Sequence, residues 1–115
     1  MKNNLAKVEI LRTNGTRELH EVGKHILMDW IHRMIGADTT DSFRLKDGTD
    51  RVCILDDHGY DTEQIESNGV IYLKPTNALK PVNEEATRLY HRICVPGTTH
   101  QIVGDVAIAH DGDFA

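Results

Sequence analysis

Apolar residues recur along this chain with two periods, and the switches between them mark out its elements. Ala6 to Arg12 (AKVEILR) and Arg17 to Val22 (RELHEV) read as strands joined through Thr13-Asn14-Gly15-Thr16. Asn-Gly between two strand-like runs predicts a type I′ hairpin, because both residues tolerate positive φ. After Gly23 the period lengthens. Ile26, Leu27, Trp30, Ile31, Met34 and Ile35 fall on one broad arc of a helix over 24–35, with Gly36 placed as its C′ residue. Ser42 to Leu45 then predicts a short strand and Asp47-Gly48 a turn. Arg51 to Leu55 (RVCIL) is apolar on successive residues, which suits a central strand covered on both faces. Tyr60 to Gly69 has no clear period and reads as a loop, Val70 to Leu73 as a strand, and 74–80 as a linker.

The clearest signals lie in Pro81 to Asp105 (PVNEEATRLYHRICVPGTTHQIVGD). Pro81 holds Val82 extended, and Asn83 is a strong N-cap whose side-chain oxygen can accept from a backbone N–H two or three residues on. Glu84 and Glu85 complement the positive end of the helix dipole, while Arg88, His91 and Arg92 complement the negative end. Ala86, Leu89, Tyr90 and Ile93 form an apolar stripe, and Pro96-Gly97 ends the helix. Ile102 to Ala109 predicts a strand in which Gly104 marks a bulge or a close approach. The sum is an α+β domain: a mostly antiparallel sheet of about five to six strands with two helices on one face, the other face being wet or used for self-association. One domain over 1–115 is expected, with 110–115 a flexible tail.

Composition narrows the classes. The chain has 115 residues, 39% hydrophobic and 27% charged, enough for one core without staples. Its N-terminal run has no apolar stretch of signal-peptide length, and Cys53 and Cys94 lack CxxC spacing, so free thiols in the cytoplasm of a host bacterial cell are expected. Net charge is −5 and unevenly placed: residues 38–66 carry three basic and nine acidic side chains. Such a segment repels nucleic acid and attracts basic protein surfaces. Neither membrane nor direct nucleic-acid binding is expected.

Candidate chemistry is sparse. His25, Asp29 and His32 line one helix face, but His25 and His32 stand two turns apart, about 10 Å by helix rise, too far for one ion to hold both comfortably. A solvated polar stripe is the better reading, and no cofactor is expected. Asp56-Asp57-His58-Gly59-Tyr60-Asp61 lacks EF-hand spacing. The two serines, Ser42 and Ser67, sit in no G-x-S-x-G elbow, and Cys94 at a helix C-terminus gains no thiolate character. The N-terminus of the second helix could take an anion through Asn83, Thr87 and Arg88 with the following Thr98, Thr99 and His100, although Glu84 and Glu85 would repel phosphate.

Two motifs, Asn83, Ala86-Thr87 and Leu89-Tyr90 (N-x-x-A-T-x-L-Y) and Ile102 to Val106 (I-V-G-D-V), resemble those of a small phage and prophage family catalogued as domain of unknown function thirty-eight forty-six. Ile35-Gly36 and Cys53 to Gly59 are also similar to it. The chain departs from that family in having Ala37 after Gly36, where the family often has a second glycine, and Glu84-Glu85 where it has Pro or Arg. The resemblance implies a phage context and no catalytic residue. The leading expectation is therefore a non-enzymatic binding protein that modulates or inhibits a basic-surfaced host protein through Asp38, Asp41, Asp47, Asp50, Asp56 and Asp57. The alternative is a sponge for a small signalling nucleotide, held by the helix and loop residues above at a subunit interface. A metal-dependent enzyme is third.

Overall fold

The computed structural model describes residues 4–114, for 61, 62 and 73–77 in their backbone alone. Seven strands, two α-helices and two 3₁₀ turns follow in the order β1 (Leu5–Leu11), β2 (Arg17–Gly23), a 3₁₀ turn (Lys24–Ile26), α1 (Leu27–Ile35), β3 (Thr40–Arg44), β4 (Arg51–Asp56), β5 (Tyr60–Ser67), β6 (Val70–Ala78), α2 (Glu84–His91), β7 (Val106–His110) and a 3₁₀ turn (Asp111–Phe114). Five strands form an antiparallel sheet in the order β2-β1-β7-β4-β3, while β5 and β6 form a separate hairpin. The α+β class and the mostly antiparallel sheet are as expected from sequence.

The two helices do not share a face. Leu27, Ile31 and Ile35 of α1 pack on Ala6, Val8, Ile10, Ile54, Ala107 and Ala109. Ala86, Leu89 and Tyr90 of α2 pack on Leu11, Cys53, Val106 and Ile108. Alternate residues of β1 and β7 thus belong to opposite layers, as the two-residue period of a strand requires. The cause is β7 itself: Val106 to Ala109 are buried in succession, and a strand apolar on both faces needs cover on both. The last strand is therefore the middle one, with β4 beside it.

Local chemistry explains most element ends. The β1–β2 loop closes with Arg12 N–H donating to Thr16 O and Gly15 N–H to Arg12 O. Gly15 has φ 88° and Asn14 does not share its positive φ, so this is a type I turn followed by a left-handed glycine rather than the expected type I′. Gly36 ends α1 in the left-handed conformation, as predicted. Lys80 Nζ donates to the Ile35 and Gly36 carbonyls there and pairs with Asp56 Oδ2 at 2.7 Å, placing a cation on the negative helix end. Gly104 has φ 79°, and a Cβ there would meet Lys80 Cδ at 2.7 Å. This is the close approach its sequence position suggested.

Three segments differ from expectation. α2 stops at His91 and tightens through Ile93 N–H to Tyr90 O, which carries Ile93 off the apolar stripe and into solvent. The loop expected over 60–69 is strand β5, paired with β6 through a turn at Asn68 (φ 52°) and Gly69 (φ 78°). Within the 110–115 segment expected as a flexible tail, His110 ends β7 and Phe114 packs on the α1-side core, while 115 lies outside the described residues.

The β5–β6 hairpin forms an arm. The molecule measures 57 × 28 × 27 Å. A body near 28 Å plus a nine-residue strand at about 3.3 Å per residue accounts for the long axis. Its Val70 and Ile71 are each 60% exposed and Tyr72 48%.

Candidate functional site

The motif residues that stand out in the sequence hold the fold. Asn83 is buried, with Nδ2 donating to Leu11 O at 2.9 Å and Gly104 O at 3.0 Å and Oδ1 accepting from Ala86 N–H. Both amide hydrogens and the cap oxygen are thereby engaged. Thr87 Oγ1 donates to Asn83 O at 2.8 Å and accepts from Ile102 N–H at 2.9 Å. Asp105 of the I-V-G-D-V run accepts from Thr13 N–H and from Arg12 Nη1. Arg12 also makes a forked pair with Glu18 and donates to the last turn of α1 at Met34 O. The Arg12 hydrogen bond, then that of His20, draws the Glu18 carboxyl down to about 2. These residues stitch β1, β2, α1 and the strand entering β7 together.

The anion site considered at the start of α2 is consequently not open. Asn83 lies under Leu11 and Gly104, and Glu85 is paired with Arg17. Thr98 Oγ1 donates to Val95 O. Only Arg88, Thr99 and His100 of that set present free side-chain polar atoms to solvent among the described residues.

The six aspartates divide between the two ends of the β3–β4 pair. The register sets Thr40 opposite Asp56 and Arg44 opposite Val52, so the ends lie about 13 Å apart at about 3.3 Å per residue. At the turn end, Asp47 accepts from the Thr49 hydroxyl and amide and from Arg51, which hold its carboxyl down at about 2. Asp50 meets His110 Nδ1 at 2.6 Å, and that bond lowers its carboxyl. At the other end, Asp56 is pulled two ways: burial opposes its charge, while Lys80 and the His58 amide favour it and prevail. Asp41, Asp57 and Asp38 are exposed and have no cation partner among the described residues.

That second end opens into a cleft of about 210 Å³ lined by Asp41, Asp56, Asp57, Tyr60, His100 and Gln101, with Leu55, Gly59, Ile102 and Val103 behind. Tyr60 opens β5 and donates its hydroxyl to Gln101 O at 2.6 Å. Its ring centroid lies 5.3 Å from that of His100, which lies 5.9 Å from Tyr90, itself 5.3 Å from Phe43. His91 Nε2–H donates to His100 O at 2.7 Å and fixes the loop. Gly59 is required here because a Cβ would meet Val103 Cγ2 at 2.7 Å. The cleft thus brings the Asp41, Asp56 and Asp57 carboxylates together with the rings of Tyr60 and His100, a combination that attracts cations through charge and ring quadrupole.

Sequence reasoning assigned Asp41, Asp56 and Asp57 to one candidate set and His100 to another; the fold brings them to one cleft. It missed Tyr60 and Tyr90, whose role depends on a contact between the arm base and the 98–101 loop that no local pattern encodes. Asp29 and His32 line a shallow depression with Arg33, Gly36, Ala37 and Asp38, and His25 is not part of it. Among the described residues no group of three or more His, Cys, Asp or Glu side chains could hold a metal ion, and no helix is long and apolar enough to cross a membrane. Burial raises the Cys53 thiol well above its usual range.

Scans of protein-family models, curated proteins and solved structures find no match to this chain.

Proposed function

We propose that the protein is a non-enzymatic binding protein that modulates a host protein by docking a basic surface on the cleft at the arm base. The observation that carries this reading is the pairing of Asp41 and Asp57, exposed and without a cation partner among the described residues, with the aromatic wall of Tyr60 and His100. A partner lysine or arginine entering between them meets charge and a π-face together. The motif resemblance to a phage and prophage family supports the host-directed role. The nucleotide-sponge reading draws less support, because Asn83 and Thr87 are engaged by the fold and carboxylates line the cleft beside His100.

The contact surface is narrower than the acidic segment as a whole, since Asp47 and Asp50 already answer Arg51 and His110. A partner captured from bacterial lysate on the immobilised chain, identified and purified, is then titrated against two double variants. Asp41→Asn with Asp57→Asn should weaken it about tenfold or more, whereas Asp47→Asn with Asp50→Asn should leave it within about twofold. Equal losses, or none from the first pair, would sink the reading.

A further inference from the structure

We infer that β2 pairs antiparallel with β2 of a second copy of this chain, joining two five-stranded sheets into one across a two-fold axis at Leu19. β2 is the sheet edge opposite β3, so the inference is independent of the acidic cleft. The strand spans seven residues, runs beside β1 without a bulge from Arg17 to Gly23, and contains neither proline nor lysine. Edges protected from pairing are commonly short, bulged or studded with lysine. The hairpin fixes which backbone groups face out. Arg12 N–H donates to Thr16 O and Lys24 N–H to Asn4 O, so the even-numbered residues between Thr16 and Lys24 bond to β1. Arg17, Leu19 and Glu21 turn their N–H and C=O groups to the open edge. Their side chains share the face away from Val22 and the α1-side core. Leu19 is 76% exposed, and Glu21 is exposed and makes no ion pair among the described residues.

The order of charges selects a second copy as the occupant of this edge. Residues 17–21 read Arg-Glu-Leu-His-Glu. With Leu19 opposite Leu19 of the second copy, Arg17 faces its Glu21 and Glu18 faces its His20, and the two-fold axis repeats both pairs. Directly opposite residues share a face, and like charges placed there destabilise. Centring the axis on Glu18 or Glu21 would set two carboxylates against each other, and centring it on Arg17 two guanidinium groups. Within its own chain Arg17 meets Glu9 and Glu85, and Glu18 meets Arg12 and His20. A guanidinium with five N–H donors, on a side chain 49% exposed, accommodates a third carboxylate. The helices leave room for the pairing. α1 lies across β2, β1 and β7, so three strand spacings of about 4.8 Å set the two copies of α1 about 14 Å apart, beyond the interaxial distance of about 8–10 Å for packed helices. The same patch serves both copies, so the assembly is isologous and closes at two.

Sedimentation equilibrium of the full chain across about 1 to 500 µM tests this by mass, and amide exchange tests it by position. The wild type should approach twice the 13.0 kDa chain mass. As it does, the outward amides of Leu19 and Glu21 should gain protection, while those of Glu18 and His20, bonded to β1, stay protected at every concentration. Leu19→Pro removes one outward N–H without touching the β1 ladder and should leave a folded monomer. Glu21→Arg, and separately Arg17→Glu, should each weaken self-association about tenfold or more by setting like charges opposite one another. Mixing these two charge variants restores opposite charges at both positions, so a heterodimer should form within about threefold of the wild-type affinity. That recovery also shows both variants to be folded. A monomer at every concentration, a dimer whose Leu19 and Glu21 amides exchange freely, association that survives Leu19→Pro or either reversal, or no heterodimer on mixing would each overturn the inference.

Discussion

The five-stranded body and the β5–β6 arm are both antiparallel, and each has a connection built on Asn-Gly, yet they differ in what lies behind their strands. In the body, every residue from Val106 to Ala109 is buried, because α1 covers one face of β7 and α2 the other. In the arm, backbone pairing from Tyr60↔Ala78 to Ser67↔Val70 is nearly continuous, but none of its described side chains joins the buried apolar core and Val70, Ile71 and Tyr72 remain exposed. Hydrogen bonding is similar in kind in the two regions. The contrast is in apolar burial, at about 25 cal/mol per Å² the dominant favourable contribution to folding. A strand ladder without that burial is marginally stable in water.

The contrast breaks most sharply at Asn83. Replacement by Ala removes the cap of α2 and leaves the Leu11 and Gly104 carbonyls without their donors inside the body. A loss of about 2–4 kcal/mol in global stability is expected from urea unfolding. A loss below about 1 kcal/mol would mean that the body's two layers do not depend on this residue.

A second, intermediate effect is set by pH. The Glu18 carboxyl sits at about 2 in the folded chain against 4.5 unperturbed, chiefly through the Arg12 hydrogen bond. Over that interval the unfolded chain binds more protons than the folded one, so this contribution is present above 4.5 and is lost as pH falls towards 2. Thermal melts between those limits should show stability declining with acid, and the decline should be shallower in Glu18→Gln. Parallel curves for the two chains would remove Arg12 and Glu18 from the account of how β1, β2 and α1 are held.

The smallest effect belongs to the arm. Val70→Thr with Ile71→Thr should change the unfolding free energy of the monomer by less than about 0.5 kcal/mol, since neither side chain is buried. Amide exchange of β5 and β6 in dilute protein should be faster than that of β7. Arm amides as protected as those of β7 in a monomer would erase the distinction between the regions.

Much of the body was legible in the sequence because its signals are local. The arc of Leu27, Ile31 and Ile35, the cap at Asn83 and the glycine at 36 each follow from spacing within a few residues, and each stands where it was expected. β5 was not legible. Its run YDTEQIES lacks alternation because no layer selects an apolar face for it, leaving Asn68-Gly69 as its one clear mark. The acidic candidates were only partly legible: charge counts reveal nine carboxylates in residues 38–66, but not that Arg51, His110 and Lys80 answer three of them.

By itself, then, the sequence determined the class of the domain, both helices, most strand positions and the caps and glycines that end them, all of which depend on neighbours along the chain. Tertiary structure alone decided that β7 is the central strand, that the helices lie on opposite faces, and that Asn83, Thr87 and Asp105 serve the fold. It also gathered Asp41, Asp57, Tyr60 and His100 around one cleft. Those outcomes depend on which distant segments pack together, a choice made by the burial of two apolar faces at once and not by any local pattern.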